Sequence, residues 1–326
     1  MTDTARAGAS WPVGGFAAIL SSIAVGSAVA ANSQLTDYPV SYSQALRYGL
    51  AAILLWLVSR AKIPRVRPRQ LVRLTALSVT GLAGFNVFLI AALRSGDPGT
   101  VGAIIGAVPV VLAIAGPLLG GRRPTWQPLF GAVVVALGAM VVHGVDGSTG
   151  TADVVWAVLA MLCEAAFSLL ALPLLKEFKP LTLSMLVCAI AAPLLAAAGL
   201  VQNGLSVPPP TGVEVAAVVH LAVFATAGAF LLWYYSLSII PVETVGVFAG
   251  IVPVAALITS AAIGSTVISL PRFGGAMLVA TGIVIGVYGS RSRINSKPKR
   301  DHKVSPVQAD GVSEPPPGRR RGCAAG

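Results

Sequence analysis

The sequence predicts an all-α integral membrane protein with ten transmembrane helices in two related halves, and three observations carry that prediction. The 326 residues are 55% hydrophobic and 11% charged, with a mean hydropathy of +0.81, whereas a soluble domain carries roughly 25% charged residues. Ten apolar runs fall at about residues 13–32, 41–59, 71–92, 98–119, 127–143, 153–173, 181–202, 214–236, 242–264 and 271–289. Each is near the roughly 20 residues that cross a hydrocarbon core about 30 Å thick. The stretch from Thr100 to Val110, TVGAIIGAVPV, returns as TVGVFAGIVPV from Thr244 to Val254, 144 positions later and with seven of eleven residues identical. The same offset pairs Gly84 with Gly228, Leu93 with Leu237, Gly131 with Gly275, Ala136 with Ala280 and Gly138 with Gly282. A unit of at least three hydrophobic segments is therefore duplicated.

A net charge of +11 raises the question of nucleic acid, and the placement of the basic residues answers it. With a cytoplasmic N-terminus, 20 of the 23 Lys and Arg residues fall on the cytoplasmic side; Arg94 and Arg272 lie on the other side and Arg47 within a span. That is the positive-inside bias of a multi-pass protein, so no nucleic-acid partner is expected. It predicts a plasma-membrane protein with both termini in the cytoplasm, and places the loops near Asp37, Asp97, Asp146, Gly204 and Ser265 outside. Cys163 and Cys188 fall inside spans and Cys323 in the tail, which leaves no outward pair for a disulfide.

The first run follows a polar segment, residues 1–12, and ends Ala28-Val29-Ala30, which imitates a signal-peptidase site. It is long for a signal sequence, has one basic residue before it and nine spans after it, so it is read as a retained helix. The second opens with Tyr42, Ser43 and Gln44 and carries Arg47 about 9 Å inside its outer end, at 1.5 Å per residue. A guanidinium at that depth is expected to be paired or to snorkel. The basic, proline-broken loop 60–70 sets orientation. The third run contains Asn86, an amide that either bonds a neighbouring helix or faces a polar cavity. The fourth holds Gly102, Gly106 and Pro109, and the ninth holds their mates Gly246, Gly250 and Pro253. The glycines allow close backbone approach, and each proline frees a carbonyl that something else must satisfy. Such interruptions at corresponding places in two halves point to a transporter's central site; tight helix packing alone is the alternative.

The fifth and tenth runs carry small-residue stripes, Gly131, Ala132, Ala136 and Gly138 against Gly275, Ala276, Ala280, Gly282 and Gly286. These permit association within one chain or between two, so a homodimer stays open. The sixth run carries Glu164, the single acidic residue placed deep in the membrane, and the seventh is plain apart from Cys188 and Pro193. The eighth has His220 in its first turns, read as a helix-contact residue, and Trp233 and Tyr234 in FLLWYY, which suit either an interfacial belt or a cavity wall. From residue 290 the chain is polar and basic and reads as a disordered cytoplasmic tail; the terminal CAAG imitates a prenylation box but ends in an unusual glycine.

These pieces carry a family resemblance: QALRYGLAAILLW in the second segment, ALRSGDPGTVGAIIGAVPVVLA across the third and fourth, and WYYSLSIIPVETVGVFAGIVPV across the eighth and ninth. The chain resembles the drug/metabolite transporter superfamily, specifically proteins with two EamA-type repeats, over about residues 13–289. The resemblance implies ten transmembrane helices as two inverted five-helix repeats, with a central cavity lined by the first four helices of each half. Five spans per half, an odd number, invert the second copy. The units expected are a cytoplasmic segment 1–12, a first repeat 13–143, a linker 144–152, a second repeat 153–289 and a tail 290–326. Where many members carry a glutamate after the glycine ending the fourth and ninth helices, this chain has Arg122 after Gly121 and Ser265 after Gly264, so no role for that acid is carried over. Arg47 matches an arginine common in the family's second helix; Glu164 has no general counterpart.

The expected function is a secondary transporter, an exporter of a small polar or amphipathic metabolite, working by alternating access. No phosphate-binding loop is present, so the driving energy would come from a gradient. The residues expected to bind substrate or couple its movement are Arg47, Asn86, Gly102, Gly106, Pro109, Glu164, Trp233, Tyr234, Gly246, Gly250 and Pro253. For Arg47 and Glu164 a purely structural pair or hydrogen bond stands beside that reading. An intramembrane enzyme and a non-transporting scaffold are the alternatives. Against the enzyme stand three scattered histidines without H-E-x-x-H or G-x-S-x-G, so no catalytic residue, metal or cofactor is expected.

Overall fold

The computed structural model describes residues 3–35, 38–60, 65–144, 149–204, 209–264 and 266–296. The outer-loop assignments at Asp37, Asp146 and Ser265, and the tail beyond residue 296, lie outside the described residues. Ten helical rods are described: α1 (Asp3–Asn32), α2 (Val40–Ser59), α3 (Pro68–Leu93), α4 (Pro98–Leu119), α5 (Trp126–His143), α6 (Thr151–Leu174), α7 (Pro180–Asn203), α8 (Gly212–Ile239), α9 (Val242–Ala262) and α10 (Leu270–Ser296). No strand occurs among the described residues. Helix is what a bilayer demands, since every backbone polar group must be satisfied within the segment.

Nine of the ten are long and apolar enough to cross a membrane, so the expected count of ten is approximate. The exception is α2, 20 residues long, whose first half reads VSYSQALRY and whose apolar content is diluted accordingly. Those polar residues have partners inside the protein. Ser41 donates to Gln202 of α7 at 2.8 Å, Tyr42 donates to the Gly204 carbonyl at 2.5 Å, and Gln44 accepts from Arg47. Two boundaries also differ from the expectation. Helix α1 begins at Asp3 within the segment read as polar, because a helix continues beyond the apolar stretch wherever its backbone can hydrogen-bond to itself. Helix α10 continues to Ser296 for the same reason.

The duplication is visible in the backbone. Helices α3, α4 and α5 begin at Pro68, Pro98 and Trp126, and α8, α9 and α10 begin 144 residues later at Gly212, Val242 and Leu270. Each third helix contains a wider π-helical turn, Val79–Gly84 in α3 and Val223–Gly228 in α8, again 144 apart. Each fourth helix is broken: α4 is α-helical over Pro98–Ile105 and Val108–Leu119, and α9 over Val242–Phe248 and Ile251–Ala262. The prolines explain the breaks, since Pro109 and Pro253 cannot donate to the carbonyls of Ile105 and Ala249. The chain tightens instead, Ala107 N–H bonding Ile104 O at 3.0 Å and Val252 N–H bonding Ala249 O at 3.0 Å.

Repeat mates pack on each other or exchange partners. Helix α5 lies along α10, and α2 along α7. Helix α1 packs against α8 and α9 of the second half, while its mate α6 packs against α3 and α4 of the first. The glycines of α5 and α10 set a very close approach: a Cβ on Gly131 would stand 2.6 Å from Gly286 N, and one on Gly275 would stand 2.9 Å from Gly138 O. The small-residue stripes are thus engaged within one chain, where glycine lets two backbones meet.

Candidate functional site

The exchange of α1 and α6 leaves a cavity of about 150 Å³ between the halves, lined by residues of α1, α2, α3 and α4 from the first and α6, α8 and α9 from the second. Helices α5 and α10 contribute none of its lining, and neither does α7. The lining is mirrored by the repeat: Gly81 and Ala225, Asn86 and Phe230, and Val108 and Val252 are pairs 144 apart, and all six face the cavity.

Two polar side chains in the wall satisfy carbonyls of the π-turns. Arg47 Nε donates to Thr226 Oγ1 at 2.5 Å and Nη2 to the Ala225 carbonyl at 3.2 Å, both in the turn of α8, while Nη1 donates to Gln44 Oε1 at 3.2 Å. Asn86 Nδ2 donates to the Leu82 carbonyl of the α3 turn at 2.7 Å and to Tyr48 Oη at 3.3 Å. A π-turn loosens the regular ladder, which is why such turns occur at functional sites and why side chains can reach their carbonyls. The guanidinium also stands 5.3 Å from the Tyr48 ring centroid. The three hydrogen-bond acceptors of Arg47 among the described residues are neutral, and no carboxylate among them pairs with its charge at the cavity wall.

Glu164 of α6 lines the same cavity, but the pair with Arg47 that the sequence left open is not made. Its carboxylate forms no hydrogen bond or ion pair among the described residues. The physical reason is reach: Arg47 is turned toward α8, whose loosened carbonyl and Thr226 hydroxyl occupy its donors. Beside Glu164 lie Phe167 and Ser168, the latter accepting from Trp233 Nε1 at 3.0 Å. Phe167 stacks at 5.1 Å on Tyr234 and meets Phe230 at 4.8 Å. The site is a carboxylate and a guanidinium held apart within a largely apolar wall that includes five aromatic rings, Tyr48, Phe85, Phe167, Phe230 and Trp233.

Of the residues expected from sequence, Arg47, Asn86, Glu164 and Trp233 line the cavity. Tyr234 is fully buried behind it, its hydroxyl without a hydrogen-bond partner among the described residues. Gly102, Gly106, Gly246 and Gly250 lie outside the lining and are contact points: a Cβ on each would come within 3 Å of His143, Ala139, Leu112 and Val135 respectively. Pro109 and Pro253 are buried in the helices that begin after each break. Sequence reasoning missed Ser21, Ser22, Tyr48, Phe85, Phe167 and Ser168. The 144-residue offset, applied from Asn86 to Phe230 and from Gly81 to Ala225, was the one signal for part of this wall.

It also missed Glu243, which is 8% exposed and receives Arg122 Nη1 at 2.9 Å and Nη2 at 3.4 Å across the two halves. Arg73 meets Glu177 at 3.3 Å, and Gln70 donates to the same carboxylate at 2.5 Å. Both ion pairs join the first half to the second, and both sit at the face where an even number of spans has been crossed. At the opposite face Asp97 caps α4, accepting from the Thr100 N–H at 2.6 Å and its hydroxyl at 2.9 Å. Those donors hold the Asp97 carboxyl below the usual aspartate range. Near the same face, Ser27 and His220 are 3.0 Å apart, joining α1 to α8 as a helix contact.

A two-repeat bundle of long apolar helices with a mirrored cavity between its halves is the architecture of a multi-pass membrane protein. The model of the EamA-like transporter family matches residues 12–144 and 152–288, and the chain belongs to that family. It is 24% identical over 274 residues to the uncharacterized transporter YetK of Bacillus subtilis, covering 81% of this chain and 83% of that one. It is 26% identical over 270 residues to the uncharacterized transporter YyaM of the same organism, covering 78% and 88%. An uncharacterized transporter of Archaeoglobus fulgidus is 22% identical over 233 residues, covering 68% and 80%. Among solved structures, a protein crystal structure at 21% identity superposes with a TM-score of 0.74, covering 87% of this chain and 99% of that one, a likeness of fold.

Proposed function

We propose that the chain is a gradient-driven exporter of a small polar or amphipathic metabolite, working by alternating access in the plasma membrane with both termini in the cytoplasm. One observation carries the reading: Glu164 presents a carboxylate without a partner among the described residues to a cavity shared by both repeats. An ionisable group at membrane depth costs several kcal/mol unless paired or hydrated, so an unpaired one marks a ligand or proton site. Arg47 and Asn86 hold the π-turns, and Trp233 with Phe167 and Phe230 offers apolar surface to the substrate. The cavity, at about 150 Å³, is below the roughly 300–1,000 Å³ of small-molecule sites, so loading requires the halves to part. The paired breaks near Gly106 and Gly250 and the paired π-turns are the places where α3, α4, α8 and α9 can bend.

The test is transport by purified protein in sealed vesicles, across pH and in both directions, for the parent and Glu164→Gln at matched protein level. Glu164→Gln is expected to slow transport at least tenfold and to flatten its pH dependence. Unchanged rate and pH profile would leave Glu164 a structural residue, and substrate turnover in detergent without vesicles would favour an enzyme instead.

A further inference from the structure

A second recess of about 620 Å³ opens where α4, α6 and α8 end and α9 begins. Its inner wall is apolar, with Leu119, Leu170, Leu172, Pro173 and Leu237 among the lining residues. Two cations join them, Arg122 and Lys176, three residues beyond the end of α4 and two beyond the end of α6. At 1.5 Å per residue, Leu170 and Leu237 lie about 3–6 Å inside their helix ends. The recess therefore has apolar walls just inside the helix ends and two cationic side chains just beyond them.

We infer that this recess holds an anionic phospholipid, with its phosphate on Lys176 and Arg122 and an acyl chain along Leu119, Leu170 and Leu172. Lys176 is exposed and forms no hydrogen bond or ion pair among the described residues. Arg122, its side chain 58% exposed, gives two N–H groups to Glu243 and has others to spare, since a guanidinium carries five. Basic pockets between transmembrane helices suit anionic headgroups, and a soluble anion would leave the leucine wall unused. The chain's own segment 297–326 is net basic, the same sign as these two cations. Because Arg122 bonds Glu243 across the halves, a lipid seated here braces that junction.

The test is thermal unfolding of the purified full chain in a neutral detergent. It is titrated with phosphatidylglycerol, with phosphatidylcholine of the same acyl chains, and with glycerol 3-phosphate. Phosphatidylglycerol is expected to raise the unfolding temperature saturably and the other two to leave it unchanged. Lys176→Ala should weaken the phosphatidylglycerol response roughly fivefold. Lys179→Ala, on the same connection but outside the recess, should not. Equal stabilisation by phosphatidylcholine would mean an unselective lipid surface, and equal stabilisation by glycerol 3-phosphate a soluble-anion site. Either result, or identical titrations for the two variants, overturns the inference.

Discussion

Two neighbouring glycines of α10 allow the close packing of the halves to be measured. A Cβ on Gly275 would meet Val142 N at 2.8 Å, Gly138 O at 2.9 Å and Val141 Cβ at 3.0 Å, whereas one on Gly274 meets nothing within 4 Å. Two of the three obstacles at Gly275 are backbone atoms of α5 and cannot rotate away. Restoring ordinary contact means parting the helices by about half an ångström or more, and overpacking of this kind costs about 1–3 kcal/mol. Alanine improves helix propensity at both positions by about 0.5–1 kcal/mol, so that contribution cancels when the two variants are compared. Gly274→Ala is therefore expected to match or exceed the parent in stability, and Gly275→Ala to fall about 1–3 kcal/mol below Gly274→Ala. Reversible unfolding in mixed detergent micelles, followed by circular dichroism, reads the difference. Equal stability of the two variants would refute the claim that α5 and α10 meet backbone to backbone.

Three further outcomes follow from the geometry. Arg122→Ala strands the nearly buried Glu243 carboxylate and should destabilise by about 1–3 kcal/mol; Arg122→Glu with Glu243→Arg should recover part of that loss, and a double-mutant cycle showing no coupling would dismiss the inter-half ion pair. The Thr100 donors lower the pKa of Asp97 in the folded state, so its contribution is complete above about pH 4 and is lost as pH falls through the depressed value. Asp97→Ala should flatten that acid limb of the stability profile, and an unchanged limb would remove the cap from the account. In a cysteine-free background, a cysteine at position 203 should react with an impermeant reagent from outside and one at position 67 should not; the reverse would invert the topology.

How much was legible in the sequence follows from what kind of signal each feature leaves. The number and rough extent of the helices, the duplication and the interruptions at Gly106, Pro109, Gly250 and Pro253 are local properties of composition and spacing, and they appear along the chain at a constant offset. Arg47, Asn86 and Glu164 stood out because a polar group in an apolar run is conspicuous wherever its side chain points. The direction in which each helix faces is another matter. In a bilayer the outer surface of a helix is as apolar as its packed surface, so the periodicity that marks the buried side of a soluble helix is nearly absent. Nothing local could therefore reveal that α1 and α6 change places between the halves or that Arg47 turns to the π-turn of α8 instead of to Glu164. Nor could it show that Tyr234 lies behind the wall that Trp233 lines, or that Arg122 finds Glu243. The glycine stripes of α5 and α10 were equally suited to a contact within one chain or between two. The tertiary structure assigns them to one chain because α5 and α10, each other's repeat mates, run side by side where glycine alone lets two backbones come that near.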